Sequence, residues 1–291
     1  MQQVFINALI AGAAYALTGL GFALTYRVSR FFNFAHGAVF TCGAYLTLFL
    51  SVSVGLPLLF AVLIAMAMCA LIGCGLELSI YRPLRQRRAS SLVLLLASLG
   101  IYTILQNTIS LAFGDDVQTL VPFRVDTSLN VFGGRMTFAQ LILIGVSISL
   151  FVLIGLVIAR TRLGKTFRAV ASDPILALVA GIESDRSVLV TFAAGSALAG
   201  VAAILVSLDM PMVPTMGMNA LLMGVVAAIV GGIDSVSGVA VGGLLLGFAQ
   251  HLGIWMIGSE WQDSIAFAVL LAFLLLRPYG VLGRKLRKVE V

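Results

Sequence analysis

Charged residues are scarce in this chain, and their scarcity excludes a soluble domain. Asp, Glu, Lys and Arg make up 10% of the 291 residues, hydrophobic residues make up 60%, and the mean hydropathy is +1.11. A soluble protein has about a quarter of its residues charged, because polar groups must cover its surface. The chain is therefore expected to fold in lipid.

Cysteine is scarce too, and no basic run is interleaved with exposed aromatics. The three cysteines, Cys42, Cys69 and Cys74, lie in apolar stretches, and their odd number argues against a disulfide framework. Lys and Arg exceed Asp and Glu by 18 to 12. Without an aromatic-basic surface, this excess indicates membrane orientation and no nucleic-acid partner.

Apolar segments of spanning length fill most of the chain. A spanning helix needs about 20 mostly apolar residues. The first segment has no Lys or Arg before Arg27, so we expect a retained span and not a cleaved signal. The sequence predicts an all-α bundle of about nine spans, with a range of eight to ten because the seventh and last are short. The segments are 4–26, 33–53, 57–80, 90–113, 137–159, 186–208, 217–233, 237–258 and 262–277.

The basic residues orient this bundle. With the C-terminus in the cytoplasm, sixteen of the eighteen Lys and Arg fall on the inner side, and only Arg124 and Arg135 fall outside. Cytoplasmic loops of membrane proteins carry this excess. The asymmetry predicts an odd number of crossings, with the N-terminus outside and the C-terminus inside.

Two long segments are predicted to lie outside the membrane. Residues 114–135 form a polar external loop, long enough for a small hairpin or a docking surface. Residues 160–186 form the longest cytoplasmic stretch, in which apolar residues at 175, 176, 178, 179 and 182 follow Pro174. That spacing predicts a short amphipathic helix ending at Gly181.

Two polar motifs open predicted inside-to-outside helices. Asn33 and His36 precede Gly37, and Asp234 and Ser237 precede Gly238 in the same spacing. In a structural interpretation Asn33 caps its helix and His36 packs at the interface. In a functional one, these side chains line a substrate path or gate, and the two motifs mark related helical hairpins. The glycines at 238, 242, 243 and 247 favour close helix crossing.

Enzyme signatures are weak. The GKT at 164–166 lacks the first glycine of a phosphate loop and follows a span instead of a strand. Ser196 and Ser237 do not fit the nucleophile turn of an intramembrane protease. Glu77 lies near Arg82 and Arg85 and predicts an ion pair at the membrane boundary. We expect no catalytic residues, no metal and no cofactor in this chain, so any ATP is used by partner subunits.

Several segments together resemble one family, the membrane permease subunits of ABC importers for branched-chain amino acids (the LivH type, with urea and amide relatives). They run through the whole chain in the family's order, and the NFAHG segment and the 161–205 segment are the most specific. The segments are 15–45, YRPLR at 81–85, 161–205, GGIDSVSGVAVGGLLLG at 231–247 and LLLRPYGVLGR at 274–284.

The resemblance implies one transmembrane domain over 1–291 in a bacterial inner membrane, with a set of partners. These are a second permease subunit (the same chain or a homologue), two cytoplasmic ATPases and an external binding protein. It also implies a coupling helix at about 173–182 that docks into an ATPase, with Ala177 and Gly181 at the contact. Its residues are Ser172, Asp173, Pro174, Ala177 and Gly181. The substrate-path residues are Asn33, His36, Gly37, Tyr45, Met223, Gly231, Gly232, Asp234, Ser237 and Gly238.

The chain departs from the family pattern near the second motif. Met223 stands where a lysine is common, Asp234 adds a charge, and SVSG lacks the usual proline. Losing a path-lining cation would weaken the handling of a carboxylate. This departure makes a neutral amide or urea more plausible as substrate than is usual for the family. The main hypothesis, from the resemblance as a whole, is import of branched-chain or other hydrophobic amino acids. The alternatives are import of urea or short amides by the same machine, and a self-sufficient carrier or channel.

Overall fold

The computed structural model describes residues 1–120, 128–131 and 133–283. In these residues the chain is helical apart from one two-stranded hairpin and the connecting turns. The elements in chain order are α1 (Gln2–Ser29), α2 (Ala35–Leu48), a π-helical turn (Phe49–Ser53), α3 (Leu58–Leu76), a second π-helical turn (Glu77–Tyr81), α4 (Arg82–Gln86), α5 (Ser91–Phe113), β1 (Ser128–Val131), β2 (Gly134–Thr137), α6 (Phe138–Arg160), α7 (Arg162–Ser172), α8 (Pro174–Val179), α9 (Ser184–Ser207), α10 (Met216–Gly231), α11 (Val236–Ile257), a 3₁₀ turn (Ser259–Trp261) and α12 (Gln262–Leu276).

Eight helical segments of the described chain are long and apolar enough to cross a membrane. They contain α1, α2, α3, α5, α6, α9, α11 and α12, so the predicted bundle is confirmed within its range of eight to ten. The remaining predicted segment forms α10, which has 16 residues. A helix of this length spans about 24 Å, less than the roughly 30 Å of the hydrocarbon core.

Cap residues set the helix ends. The Ser90 hydroxyl accepts a hydrogen bond from the Val93 amide at the start of α5. Thr137 and Gln140 form a reciprocal capping box at the start of α6, and the Ser235 hydroxyl accepts from the Gly238 amide in α11. Each cap satisfies an amide that has no partner within the helix, so these polar residues begin helices within an otherwise apolar sequence.

Helix α1 is the centre of the bundle. It packs along most of its length against α9, α10 and α11, and it also contacts α6. The inner half of α1 is almost wholly buried from Ala16 to Thr25. By contrast, α3, α5, α6 and α12 present many exposed apolar side chains, including Leu71, Ile104, Val152 and Leu275. These peripheral faces are suited to lipid or to another membrane subunit.

The glycine-rich face of α11 allows its close approach to α1. A Cβ placed on Gly243 would lie 2.6 Å from the backbone nitrogen of Ala16, and one on Gly247 would meet the Ala8 carbonyl. Contacts this short leave no room for a side chain. The predicted close crossing is confirmed: Gly243 and Gly247 contact α1, whereas Gly238 and Gly242 contact α10 of the same chain.

Ion pairs join the helices at the inner end, which we define as the end carrying α7 and α8. The Arg85 guanidinium pairs with the Glu77 carboxylate, which is 1% exposed. Arg82 pairs instead with Asp185 at the start of α9, with 2.9 Å between Nε and Oδ2. The sequence predicted the Glu77 pair, but the link from Arg82 to α9 depends on the packing of the two helices.

The opposite, outer end carries the antiparallel β1–β2 hairpin, in which Val131 pairs with Gly134. A further bridge joins Gln118 to Met212. The hairpin begins in the predicted external loop 114–135. Residues 121–127 and 132, which include Arg124, lie outside the described residues, as do 284–291 with four of the predicted inner basic residues.

Candidate functional site

The turn between α1 and α2 is held by buried polar contacts. The Asn33 amide oxygen accepts hydrogen bonds from the Ala35 amide at 3.1 Å and from the Tyr81 hydroxyl at 2.8 Å. The Ser98 hydroxyl accepts from the Phe34 amide at 3.0 Å. Asn33 therefore bonds to the first residue of α2, but it precedes the N-cap, which is Phe34, and is not the cap that was predicted. It also fastens this turn to the inner end of α3.

His36 and Gly37 lie in the packed interior. The His36 side chain is 1% exposed, and a Cβ on Gly21 of α1 would lie 3.1 Å from its Nε2. Helix α2 crosses α10 where Gly37 meets Gly217. A Cβ added to Gly37 would lie 2.7 Å from the carbonyl oxygen of Gly217. In this structure both residues pack helices together. Their predicted role in a path or gate requires a conformation in which these helices separate.

Tyr45 lies at the outer end of α2 and is also buried. Its ring packs on Phe113 of α5, with 5.1 Å between the centroids. Its hydroxyl makes no hydrogen bond within the described chain. Neither of the two cavities described below is lined by Asn33, His36, Gly37 or Tyr45. The polar motif of α2 and the cavities are thus separate features.

The turn between α10 and α11 is anchored by the segment that follows α12. The amides of Val281 and Leu282 donate to the carbonyls of Val230 and Gly231, each at 2.9 Å. Gly232 adopts a φ of +107°, and a Cβ there would lie 2.5 Å from the backbone nitrogen of Gly283. The two glycines predicted as path residues therefore form the docking position of the C-terminal segment.

Asp234 and Ser237 in the same turn are exposed, unlike Asn33 and His36 at the matching positions of the other motif. The Ser237 hydroxyl lies 3.0 Å from that of Ser235. Asp234 interacts electrostatically with Arg27 at the inner end of α1. Gly238 follows in the first turn of α11 and is buried against Gly231. The relation between the two hairpins stays a prediction, and their polar residues have different surroundings.

A cavity of about 650 Å³ lies towards the outer end. It is lined by residues of α1, α2, α6, α9, α10, α11 and α12 and of the segment 209–215 between α9 and α10. Its wall runs along α1 from Asn7 to Thr18. The eleven residue steps from Asn7 to Thr18 correspond to about 16 Å along the helix axis. Of the predicted path residues, Met223 lines it.

Polar side chains from separate elements converge on this cavity. Gln140 donates both to Oδ1 of Asp209 at 3.0 Å and to Oδ2 at 3.1 Å, and Gln262 donates to the Tyr15 hydroxyl at 3.3 Å. Behind the wall, the buried Gln250 donates to the Gln262 carbonyl at 3.1 Å. A concave site with an apolar wall and a few placed polar groups is the usual form of a small-molecule site.

Sequence reasoning missed Asp209, Asn219 and Gln140. Asn219 is an amide in the apolar helix α10, and that contrast was a signal that could have selected it. Asp209 and Gln140 carried no such signal, since both lie at predicted span ends where polar residues are common.

The inner end presents a two-helix segment, α7 and α8, between α6 and α9. Asp173 separates the two helices, and its Oδ1 accepts from the amides of Ile175 at 2.8 Å and Leu176 at 3.1 Å. Pro174 is the first residue of α8, and Gly181 ends it with a φ of +79°. The predicted cap, first-turn proline and terminal glycine therefore have the expected local geometry.

The exposed face of α8 differs from the predicted one. Ala177 is buried at 4% exposure, whereas Ile175, Leu176, Leu178 and Val179 are between 65% and 81% exposed. Ala177 is therefore covered in this conformation, and its contact with an ATPase stays a prediction. On this short helix Ala177 faces the adjacent helices, and the four larger apolar residues face outward. A second cavity, of about 390 Å³, lies beside α7 and the start of α9.

Arg30 connects this segment to the turn between α1 and α2. It ends α1 in the left-handed conformation, with a φ of +56°, and its Nη2 donates to the carbonyls of Ala171 at 3.1 Å and Ser172 at 2.9 Å. Ser172, a predicted coupling residue, thus takes part through its backbone. A cation at the C-terminus of α7 also interacts favourably with the helix dipole.

For a transporter subunit that works with ATPases, as the sequence resemblance implies, replacing Arg30 with Gln is expected to lower transport about fivefold while those subunits stay bound. The change removes a charged donor from two carbonyls at the protein surface, a loss of about 1 kcal/mol, which corresponds to about that factor. Transport in vesicles and co-purification of the ATPases measure the two effects. Arg87→Gln is the matched control, since Arg87 is exposed at the same end. Equal transport by both variants would contradict the role of Arg30.

No group of three or more His, Cys, Asp or Glu that could hold a metal occurs in the part of the chain that the structure describes.

The Gly164 of the GKT segment lies in the first turn of α7, directly after α6, and a Cβ on it would meet the Val157 and Ile158 carbonyls. It is a packing glycine between two helices.

Comparisons with known proteins agree with this architecture. A family model described as branched-chain amino acid transport system / permease component matches residues 4–274. The chain is 33% identical to the high-affinity branched-chain amino acid transport system permease protein BraD of Pseudomonas aeruginosa, over 97% of this chain and 95% of that protein. It is 32% identical to LivH of Escherichia coli K12, over 98% and 96%.

A probable LivH permease of Methanocaldococcus jannaschii is 28% identical over 99% of this chain and 95% of its own length. Among solved structures, the chain is similar to a chain of PsaBC from Streptococcus pneumoniae in complex with Fab, with a TM-score of 0.51 and 13% identity over 96% and 92% of the two chains. At this identity the likeness concerns the fold alone.

Proposed function

The chain belongs to the branched-chain amino acid permease family, and from that premise we propose that it carries branched-chain amino acids inward across the bacterial inner membrane as part of an ATP-driven importer. It is a multi-pass membrane protein and a transporter subunit. The proposal adds its substrate and its partners, which are a second permease subunit, two ATPases and an external binding protein.

The observation that carries the proposal is the outward apolar face of α8. Ile175, Leu176, Leu178 and Val179 are exposed at the inner end, next to a basic and polar segment. A membrane-embedded bundle gains nothing from four exposed apolar side chains on a short capped helix outside it. Docking into the cleft of a partner would bury them, and an ATPase is the partner that this machine requires.

A contact chain leads from α8 to the interior of the bundle. Asp173 caps α8, and the preceding carbonyls of Ala171 and Ser172 bind Arg30. Three residues after Arg30, Asn33 binds Tyr81 at the inner end of α3. Movement of α8 by an ATPase would therefore act directly on the turn that begins α2. ATP would be bound and hydrolysed by those partner subunits, with no cofactor held by this chain.

The apolar wall of the outer cavity favours amino acids over urea. Ile10, Phe40, Leu143, Met216 and Met223 line it. A branched aliphatic side chain buried against such a wall contributes about 1.5–3 kcal/mol, a gain that urea cannot make. Import of urea or amides remains an outcome that the following test can reveal.

The test is to purify the chain with its co-purifying subunits, reconstitute them in nanodiscs, and add binding proteins loaded with leucine or with urea. We expect a leucine-loaded binding protein to stimulate ATP hydrolysis severalfold. Stimulation by the urea-loaded protein alone would overturn the substrate class. Transport by this chain without any ATPase would instead show a self-sufficient carrier.

A further inference from the structure

We infer that the outer cavity is a binding station for one zwitterionic amino acid, formed within this single chain. The inference rests on the proposed function and goes beyond it, because a path between two permease subunits does not require a site inside either one. The cavity of about 650 Å³ has room for one branched-chain amino acid together with water.

Asp209 provides the position for the ammonium group. Among the described residues it is the only carboxylate that lines the cavity, and no Lys or Arg of that part of the chain pairs with it. Gln140 donates to both of its oxygens, and Thr137 donates to Oδ1 at 3.4 Å. A carboxylate has about four acceptor positions, so Asp209 can accept further hydrogen bonds from an ammonium. These neighbours also fix the orientation of its carboxylate.

Asn219 and Tyr15 provide donors for the carboxylate end. Asn219 lies in the first turns of α10, is exposed, and makes no side-chain hydrogen bond within the described chain. The Tyr15 hydroxyl accepts from Gln262, so its own proton is available to a ligand. An unpartnered amide in a membrane-embedded helix is costly unless a ligand or water satisfies it, and the amino end of α10 adds a favourable dipole.

The side chain of the amino acid would lie against the apolar part of the cavity wall. Met216, Ala220 and Met223 of α10 line one side, and Phe40 of α2 and Leu143 of α6 line others. The apolar wall, the Asp209 carboxylate and the Asn219 amide thus match the side chain, the ammonium and the carboxylate of one amino acid. Met223 stands where a lysine is common in the family, and here it belongs to the apolar wall. The carboxylate of the amino acid is therefore recognised by neutral donors.

The test is equilibrium binding of radiolabelled L-leucine to the purified complex in nanodiscs, without binding protein or nucleotide. We expect Asp209→Asn and Asn219→Leu each to weaken binding at least tenfold. Asn107→Leu is the matched control, because Asn107 is an exposed amide of α5 that binds only the Thr103 carbonyl of its own helix. This control is expected to bind leucine as the unchanged protein does.

Two leucine analogues test the assignment of each end. 4-Methylpentanoate lacks the ammonium, and 3-methylbutylamine lacks the carboxylate. The unchanged protein is expected to prefer leucine over both by at least tenfold. Asp209→Asn should lose its preference over 4-methylpentanoate and keep its preference over 3-methylbutylamine. A purely structural effect of the substitution would weaken all three ligands equally and would overturn the assignment of Asp209.

A second measurement tests the station even if Asp209→Asn or Asn219→Leu does not fold. In a Cys74→Ser background, Ala11→Cys places a thiol on the cavity wall and leaves Asp209, Asn219 and Tyr15 unchanged. It should react with a water-soluble maleimide, and Cys42 and Cys69 should not, because they are buried. L-Leucine is expected to slow this reaction at least fivefold, and no slowing would overturn the station.

The same purified complex distinguishes failure of the binding station from failure of the proposed function. If a leucine-loaded binding protein stimulates the ATPase but the complex binds no leucine by itself, the station is wrong and the function stands. If both variants bind leucine with unchanged affinity, the station is equally wrong. If no loaded binding protein stimulates hydrolysis, the proposed function falls, and the station that rests on it falls too.

Discussion

Replacing Val179 of α8 with Glu is expected to reduce co-purification of the ATPases at least tenfold and to abolish transport. Val179 is 81% exposed, so the variant should fold normally. In the docked complex, however, the new carboxylate would be desolvated without a partner. That cost exceeds the roughly 1.4 kcal/mol that corresponds to a tenfold loss of affinity. Size-exclusion chromatography and quantitation of bound ATPase provide the measurement.

Two further substitutions on α8 make this result interpretable. Val179→Ala keeps an apolar surface and is expected to retain the ATPases. Ala177→Glu introduces the same charge at a buried position and is expected to destabilise the permease itself. If Val179→Glu retains the ATPases, or if Ala177→Glu detaches them without loss of stability, the docking face lies elsewhere.

Replacing Gly231 with Val is expected to prevent accumulation of folded protein. A Cβ on Gly231 would overlap the carbonyl oxygen of Gly238, and Gly242 approaches from the same helix. Backbone atoms cannot turn away as a flexible side chain can. We therefore expect a cost of at least the roughly 3 kcal/mol found for severe overpacking, together with loss of the contacts that hold residues 281 and 282.

Gly100→Val is the control for this effect. Gly100 lies in the middle of α5, and a Cβ there meets no atom within 4 Å. It should accumulate and unfold thermally as the unchanged protein does. Fluorescence-detected chromatography after heating compares the two variants, and equal stability would disprove the close contact between α10 and α11.

Most of the helices could be predicted because lipid imposes a simple rule on sequence. A backbone in hydrocarbon must satisfy its own hydrogen bonds, so each long apolar segment becomes a helix. The first residues of α5 and α6 are set by local N-caps, Ser90 and Thr137. The start and end of α8 were predictable for the same reason, since Asp173, Pro174 and Gly181 act on neighbouring residues.

The candidate site was less predictable, because its residues are distant in sequence. Asp209 and Gln140 are 69 residues apart, and Tyr15 and Gln262 are 247 apart. Asn33 was selected from its motif, but its partner Tyr81 was not, since nothing in the sequence shows that two residues 48 positions apart are neighbours. Asn33 and His36 proved to be packed, and the cavity lay elsewhere.

The sequence by itself determined the solvent, the helices, their caps and the family, because hydropathy, local hydrogen bonding and motif order are properties of short stretches. Only the tertiary structure decided which face of each helix is buried. In segments that are apolar all round, periodicity does not distinguish a protein-facing side from a lipid-facing one. Helix packing buries Ala177 on α8. It also brings Asp209, Asn219 and Tyr15 to one cavity and sets the short length of α10.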